Sequence, residues 1–345
     1  MKISDFVSKY DPQNQFEVLV NTYTQIDYAW NNKSDLSSLK NRSFQNVIVS
    51  GLGGSAISGD LIGNFLGNEL KIPFFVNRNY LLPAFAKENS LVIVSSYSGN
   101  TEETISVFKE ALNKKTGIVA ITTGGEIERI ALANSVPVIK LKEGYQPRYS
   151  LGLSFFSLLK VFRELGFCSV KDSLVNEISD LWKQKGIQYS KENNSAAKIA
   201  EELIGFIPVI YSVADVTSSV GYRFKCQLNE NSKIHAFHNV FPELNHNEII
   251  GWETFNPSMF SSKIIFISDE NYHPQIKKRF SITGEIISRK GCEIIRLESR
   301  EKTLQVRLMD LIYFTDWITY YAAIFRGQDP SEIDFIHELK NRLSA

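Results

Sequence analysis

Five short β-branched runs, separated by segments of helix length, constrain this chain more than anything else in it. They are Val47-Ile48-Val49, Phe74-Phe75-Val76, Leu91-Val92-Ile93-Val94, Ile118-Val119-Ala120-Ile121 and Val136-Pro137-Val138-Ile139. A strand with one wet face alternates apolar and polar residues. Runs that are apolar throughout belong to strands covered on both faces, and helix-length connections between them allow a parallel crossover. The expectation is a five-stranded doubly wound α/β sheet flanked by helices. The pattern returns at Phe206 to Tyr211, Ile264 to Ile267 and Glu293 to Leu297, which predicts a second α/β lobe of related design without a strict sequence repeat. At 345 residues the chain has room for about two domains. The expected division is 1–150 for an N-terminal helix plus the first lobe and 151–345 for the second lobe with a C-terminal helix.

The flanking segments read as helices. Asp11-Pro12 predicts an N-cap followed by proline at the first helical position, with Phe16, Leu19, Val20, Tyr23, Ile26 and Trp30 on one buried face. Pro330-Ser331 opens a last helix, Glu332 to Leu343, whose apolar face is Ile333, Ile336, Leu339 and Leu343.

Composition removes several functions. Formal net charge is zero, so no basic surplus is available for a nucleic-acid backbone. Cys168, Cys226 and Cys292 are far apart and make no metal-ligand spacing. Buried thiols in a reducing compartment are the expectation. Asp215 interrupts the stretch Leu203 to Tyr222 and Asp316 the stretch Leu311 to Phe325, so neither is expected to span a membrane. No signal-peptide core opens the chain, and a cytoplasmic protein is expected.

Two loops carry chemistry. The first run leads into Gly51-Leu52-Gly53-Gly54-Ser55-Ala56 and then a helical pattern. A glycine-rich turn feeding a helix N-terminus presents backbone N–H groups to an anion. The spacing is not that of a dinucleotide fold, and Asn77-Arg78 stands where a ribose-binding acid would be. The third run leads into Ser95-Ser96-Tyr97-Ser98-Gly99-Asn100-Thr101. The hydroxyls of Ser96, Ser98 and Thr101 could hold a phosphate, although Thr101 also reads as an ordinary hydroxyl N-cap. Both loops follow strands and lie on one edge of the expected sheet, where open α/β sheets bind ligands.

GLGGSAISGD followed by SSYSGNTEET resembles a sugar isomerase (SIS) domain. The resemblance extends through GYQPRYS (144–150), NENSK (229–233), PELNHNE (242–248) and IHELK (336–340) to the bifunctional phosphoglucose/phosphomannose isomerases. It implies an aldose–ketose isomerase that links glucose 6-phosphate and mannose 6-phosphate to fructose 6-phosphate through a cis-enediolate. On that resemblance Glu230 shuttles the proton, His246 opens the sugar ring with help from Lys340, and Arg148 steadies the enediolate. Ser55, Ser96, Ser98 and Thr101 hold the 6-phosphate, while Gly53 and Gly54 let the sugar approach the backbone. It also implies no cofactor and no metal, a sugar phosphate as the partner, and a homodimer with His246 donated across the interface. His235 and His238, with His246, Glu243 and Glu248, raise a metal reading, which the i, i+3 spacing does not support. The alternatives are an SIS enzyme for aminosugar phosphates and a non-catalytic phosphosugar-binding regulator.

Overall fold

The computed structural model describes residues 2–258 and 260–343. The chain forms two compact units, one continuous (Asn21–Lys183) and one built from Met1–Val20 with Gln184–Ala345. Helices α1 (Ile3–Tyr10) and α2 (Gln15–Val20) open the chain and belong to the discontinuous unit.

The continuous unit begins with α3 (Tyr23–Asn31) and α4 (Ser37–Lys40). It continues through β1 (Asn46–Ser50), α5 (Gly53–Leu66), β2 (Phe74–Asn77), β3 (Ser90–Ser95), α6 (Glu102–Asn113), β4 (Gly117–Thr122), α7 (Gly125–Ala133), β5 (Val138–Lys140), α8 (Leu151–Glu164) and most of α9 (Asp172–Tyr189). Its sheet has five parallel strands in the order β2-β1-β3-β4-β5. Every residue of β3 and β4 is buried, which is why those runs carry no polar alternation. On one side Val92, Val94, Ile118 and Ala120 pack with Val107, Phe108, Ile127 and Ile130 of α6 and α7.

The discontinuous unit holds α10 (Ser195–Leu203), β6 (Ile207–Val213), α11 (Ser218–Glu230), β7 (Phe237–Phe241), β8 (Ser262–Ser268), α12 (Pro274–Ser288), β9 (Glu293–Glu298), α13 (Leu304–Phe325) and α14 (Asp334–Leu343). Its four strands are also parallel, in the order β7-β6-β8-β9. The expected second α/β lobe is therefore present, with an additional strand, β7, at its edge. The core around Tyr211, Phe241, Phe266 and Phe280 fills one side of this sheet.

The division differs from 1–150 and 151–345. Leu151, Phe155, Phe156, Leu158, Leu159 and Phe162 make α8 apolar on nearly every side, and it packs on α3 and α5 of the first sheet. The N-terminal α1 and α2 instead pack on α13. The single helix expected from Asp11 to Trp30 is likewise two helices preceded by a third. Asp11 ends α1, Asn14 turns through φ +56°, and the Asp11 carboxylate accepts the Gln15 and Phe16 N–H groups at 2.8 and 2.7 Å. Asp11 thus satisfies the first amides of α2 from a turn, while Pro12 lies outside any helix.

Helix α13 explains the aromatic stretch near its end. It is buried along most of its length, and its Asp316 receives a bidentate pair of hydrogen bonds from Arg223 of α11, both 2.9 Å, plus one from Gln227 at 3.2 Å. Among the described residues no helix is long and apolar enough to cross a membrane. The terminal helix begins at Asp334 rather than Glu332, and Phe335, Ile336, Leu339 and Leu343 remain exposed. Of the cysteines, Cys292 is buried, whereas Cys168 and Cys226 are only partly so.

Candidate active site

The two loops named from the sequence meet at the carboxyl edge of the first sheet. Gly51, Leu52 and the first turn of α5 follow β1, and residues 96–101 follow the adjacent β3. A Cβ on Gly51 would lie 2.7 Å from the Ser95 carbonyl oxygen, so only glycine lets the loops sit this close. Gly53, Gly54 and Ser55 are the first residues of α5; the Ser55 N–H donates to the Leu52 carbonyl at 3.1 Å, whereas the amides of Gly53 and Gly54 have no carbonyl one turn earlier in the helix to pair with. Of these, Gly53 (φ +51°) faces open space. A Cβ on Gly54 would meet the Pro147 carbonyl at 3.0 Å, so there the close neighbour is the chain's own backbone.

That contact brings in Arg148, which lies in a short 3-10 turn (Pro147–Tyr149) against the start of α5 and is itself buried. The preceding residues are tethered to the hydroxyl loop. The Tyr97 hydroxyl donates to the Lys142 carbonyl and accepts the Tyr145 N–H, both at 2.9 Å, and burial chiefly raises the Tyr97 pKa, which keeps it a donor. The phosphate-loop candidates and the cation expected to face an enediolate therefore share one edge of one unit.

Within the hydroxyl loop Ser96 is buried. Its Oγ lies 2.8 Å from Thr101 Oγ1 and accepts the Gly99 N–H at 3.1 Å. Thr101 occupies the N-cap position of α6 but makes no side-chain cap bond, so the bland reading of its hydroxyl fails. Ser98 is exposed and accepts the Asn100 N–H at 3.3 Å. The hydroxyls are gathered by bonds within the loop, and a phosphate oxygen could enter the same network as acceptor.

A third loop, Thr122-Thr123-Gly124-Gly125 after β4, was not singled out from the sequence. It braces the second. Thr123 donates its N–H and its hydroxyl to the Tyr97 carbonyl at 3.0 and 2.7 Å, Glu126 N–H reaches Asn100 Oδ1 at 3.0 Å, and Ile127 N–H reaches the Gly99 carbonyl at 3.0 Å. The Thr-Thr-Gly-Gly run directly after the fourth apolar run was the available signal.

The end of β2 carries no acid. Arg78 there pairs with Asp60, whose pKa is raised chiefly by burial despite that partner.

Glu230, His246 and Lys340 belong to the discontinuous unit and stand on three separate segments. Glu230 is the last residue of α11 and is partly buried; among the described residues its carboxylate accepts no hydrogen bond and forms no ion pair. Its neighbours are fixed to α13. Asn231 Nδ2 donates to Thr319 Oγ1 at 3.0 Å, Ser232 Oγ donates to the Thr319 carbonyl at 2.7 Å, and Arg326 donates to the Ser232 carbonyl. His246 ends a 3-10 turn (Glu243–His246) and is exposed, as is Lys340 on α14.

Two of the three histidines behind the metal reading have other neighbours. His238 Nε2 lies 2.7 Å from Ser212 Oγ, and His235 packs edge-on against Phe237. The described residues that could share an ion are Glu332, Asp334 and His337, outside the set above.

Comparison with known proteins bears on these residues as a whole. The chain is 37% identical over 334 residues to the bifunctional phosphoglucose/phosphomannose isomerase of Caldicellulosiruptor bescii, spanning 95% of this chain and 98% of that one. It belongs to the bifunctional phosphoglucose/phosphomannose isomerase family. The isomerase of that name from Aquifex aeolicus is 34% identical over 87% of this chain and 91% of its own. A family model described as the bacterial phospho-glucose isomerase C-terminal SIS domain matches residues 192–343. In fold this chain is similar to the C-terminal domain of glucosamine-fructose-6-phosphate aminotransferase from Francisella tularensis, with a TM-score of 0.66 at 15% identity over 92% of this chain and 96% of that one. This family membership and the two parallel sheets agree with the fold and family read from the sequence.

Proposed function

We propose that the chain interconverts fructose 6-phosphate with glucose 6-phosphate and mannose 6-phosphate, using the residues named above. The carrying observation is the full-length similarity to enzymes of that name. The glycine and hydroxyl loops packed together at the carboxyl edge of the first sheet support it.

The 6-phosphate is taken by the leading amides of α5 at Gly53 and Gly54 and by the hydroxyls of Ser55, Ser96, Ser98 and Thr101. His246, assisted by Lys340, delivers a proton to O5 as the ring opens. Glu230 removes a proton from C1 and returns it to C2, while the O1 hydroxyl proton passes to O2. C1 is oxidised as C2 is reduced, so the shift balances without an external electron carrier. The Arg148 guanidinium stabilises the enediolate between the two proton transfers. Return of the proton to either face of C2, after rotation about C2–C3, gives the two epimers.

The exposure of His246 supports a homodimer in which it serves the partner's site. A charged sugar phosphate does not cross membranes unaided, which supports a cytoplasmic protein.

The test is proton NMR of fructose 6-phosphate with purified protein in deuterated buffer containing a chelator. Glucose 6-phosphate and mannose 6-phosphate are expected, with deuterium at C2 in the fraction whose proton exchanges with solvent while it is held on Glu230. Binding without either product would overturn the reading in favour of a regulator. Turnover of glucosamine 6-phosphate alone would overturn it in favour of an aminosugar enzyme.

A further inference from the structure

The segment that presents His246 is held on both sides by side chains to which the proposed reaction gives no part. One residue before it, Asn245 donates from Nδ2 to Thr283 Oγ1 at 2.9 Å, and its Oδ1 accepts from Arg279 at 3.1 Å; both partners lie on α12. Two residues after it, Glu248 accepts from the Tyr211 hydroxyl at 2.6 Å through Oε1 and from Asn239 Nδ2 through Oε2. Tyr211 in turn accepts the Trp252 indole N–H at 2.8 Å. Tyr211 is a fully buried residue of β6, and Asn239 lies on β7 beside it in register.

The donor directions in this chain are fixed. Indole and amide groups can only donate their N–H bonds. Asn239 cannot turn over without loss, because its Oδ1 already accepts the Val240 N–H at 2.8 Å. Glu248 must therefore present two acceptors at once, which a carboxylate does and an amide does not. Burial foremost, with the Glu248 carboxylate next, raises the Tyr211 pKa and keeps its proton in place. The His246 ring is exposed and makes no hydrogen bond among the described residues. The position of its ring is left to the backbone between Asn245 and Glu248.

We propose that Glu248, held by Tyr211 and Asn239, is a positioning residue that aims His246 for ring opening. This rests on the assignment of ring opening to His246. It carries a signature that a general structural role would not have: only substrates that must be opened should feel the loss.

The experiment compares fructose 6-phosphate with 5-deoxyfructose 6-phosphate, which lacks the hydroxyl that closes on C2 and stays acyclic. Exchange of the C1 proton into deuterated water is followed for wild type, Glu248→Gln, Tyr211→Phe and His246→Asn. Glu248→Gln is expected to slow exchange of the cyclic sugar tenfold or more and that of the acyclic analogue less than twofold. Tyr211→Phe, which removes one of the two donors, is expected to give the same selectivity with a smaller loss and serves if Glu248→Gln does not fold. Equal slowing of both sugars by the Glu248 and Tyr211 variants, or no slowing, would overturn the proposal. The His246→Asn arm separates the two claims. If it slows neither sugar, or both equally, the ring-opening assignment is what fails.

Discussion

Replacing Gly99 with alanine tests how the hydroxyl loop is closed. Gly99 sits at φ +71°, where a side chain costs about 1–2 kcal/mol. A Cβ there would also lie 1.8 Å from the Gly124 carbonyl oxygen and 2.8 Å from Thr122 Oγ1. Neither the backbone carbonyl nor the buried Thr122 can rotate out of the way as the end of a flexible side chain would. The 122–125 loop must retreat by more than an ångström. That movement strains the bonds between Thr122 and Gly124, 2.9 and 3.1 Å, and the 3.0 Å bond from Ile127 N–H to the Gly99 carbonyl. At about 1 kcal/mol each, losing two of the three with the backbone term gives about 3–4 kcal/mol. Urea unfolding of Gly99→Ala followed by circular dichroism should show that loss. Because Ser96 Oγ accepts the Gly99 N–H, KM for fructose 6-phosphate should rise tenfold or more in the fraction that folds. A variant with the wild-type urea midpoint and wild-type KM would refute the claim that the two loops are packed against each other.

Three other outcomes follow from the geometry. Ser96→Ala removes an acceptor for Gly99 N–H and a partner of Thr101; KM should rise about tenfold with a smaller change in kcat, as steady-state kinetics would show. Asp316→Ala leaves the buried Arg223 without its bidentate partner and should lower unfolding free energy by about 3–5 kcal/mol in urea titrations. His238 has its pKa lowered to about 4 by burial, with Lys225 contributing. The unfolded chain, where it titrates near ~6.5, binds the extra proton first, so stability is full above that pH and falls, by at most about 3 kcal/mol, as pH drops towards ~4. His238→Asn should flatten that slope in urea midpoints measured across the range.

The sheet strands and both phosphate-loop candidates were readable because each is a local pattern. The run Leu91 to Val94 is a buried central strand for the reason its composition suggests, and the hydroxyls of Ser96 and Thr101 lie within one turn of each other. What escaped depends on residues far apart in the chain or on patterns without a direction. Helices α8 and α13 are apolar nearly all round, so their periodicity names no face, and the expected boundary at 150 cut α8 away from the sheet it covers. The Arg223–Asp316 pair joins positions 93 residues apart, and Tyr211, Asn239, Glu248 and Trp252 meet only because β6 and β7 are neighbours. Asp11 is a cap, as its sequence suggests, but the helix it caps starts at Gln15 and not at Pro12, because the carboxylate reaches across a left-handed turn at Asn14. The part Glu248 plays is hidden in the sequence for the same reason: there it is merely one more acid in PELNHNE, whereas in the fold it is engaged by Tyr211 and Asn239.

Whether Glu230 carries the proton is decided by turnover of fructose 6-phosphate by wild type and by Glu230→Gln, in chelator and with phosphate-ligand affinity measured by calorimetry alongside. The wild type is expected to form both aldose phosphates, and Glu230→Gln to bind the ligand within about twofold of wild type while kcat falls by about a thousandfold. A Glu230→Gln enzyme that turns over at a rate close to wild type would contradict that role.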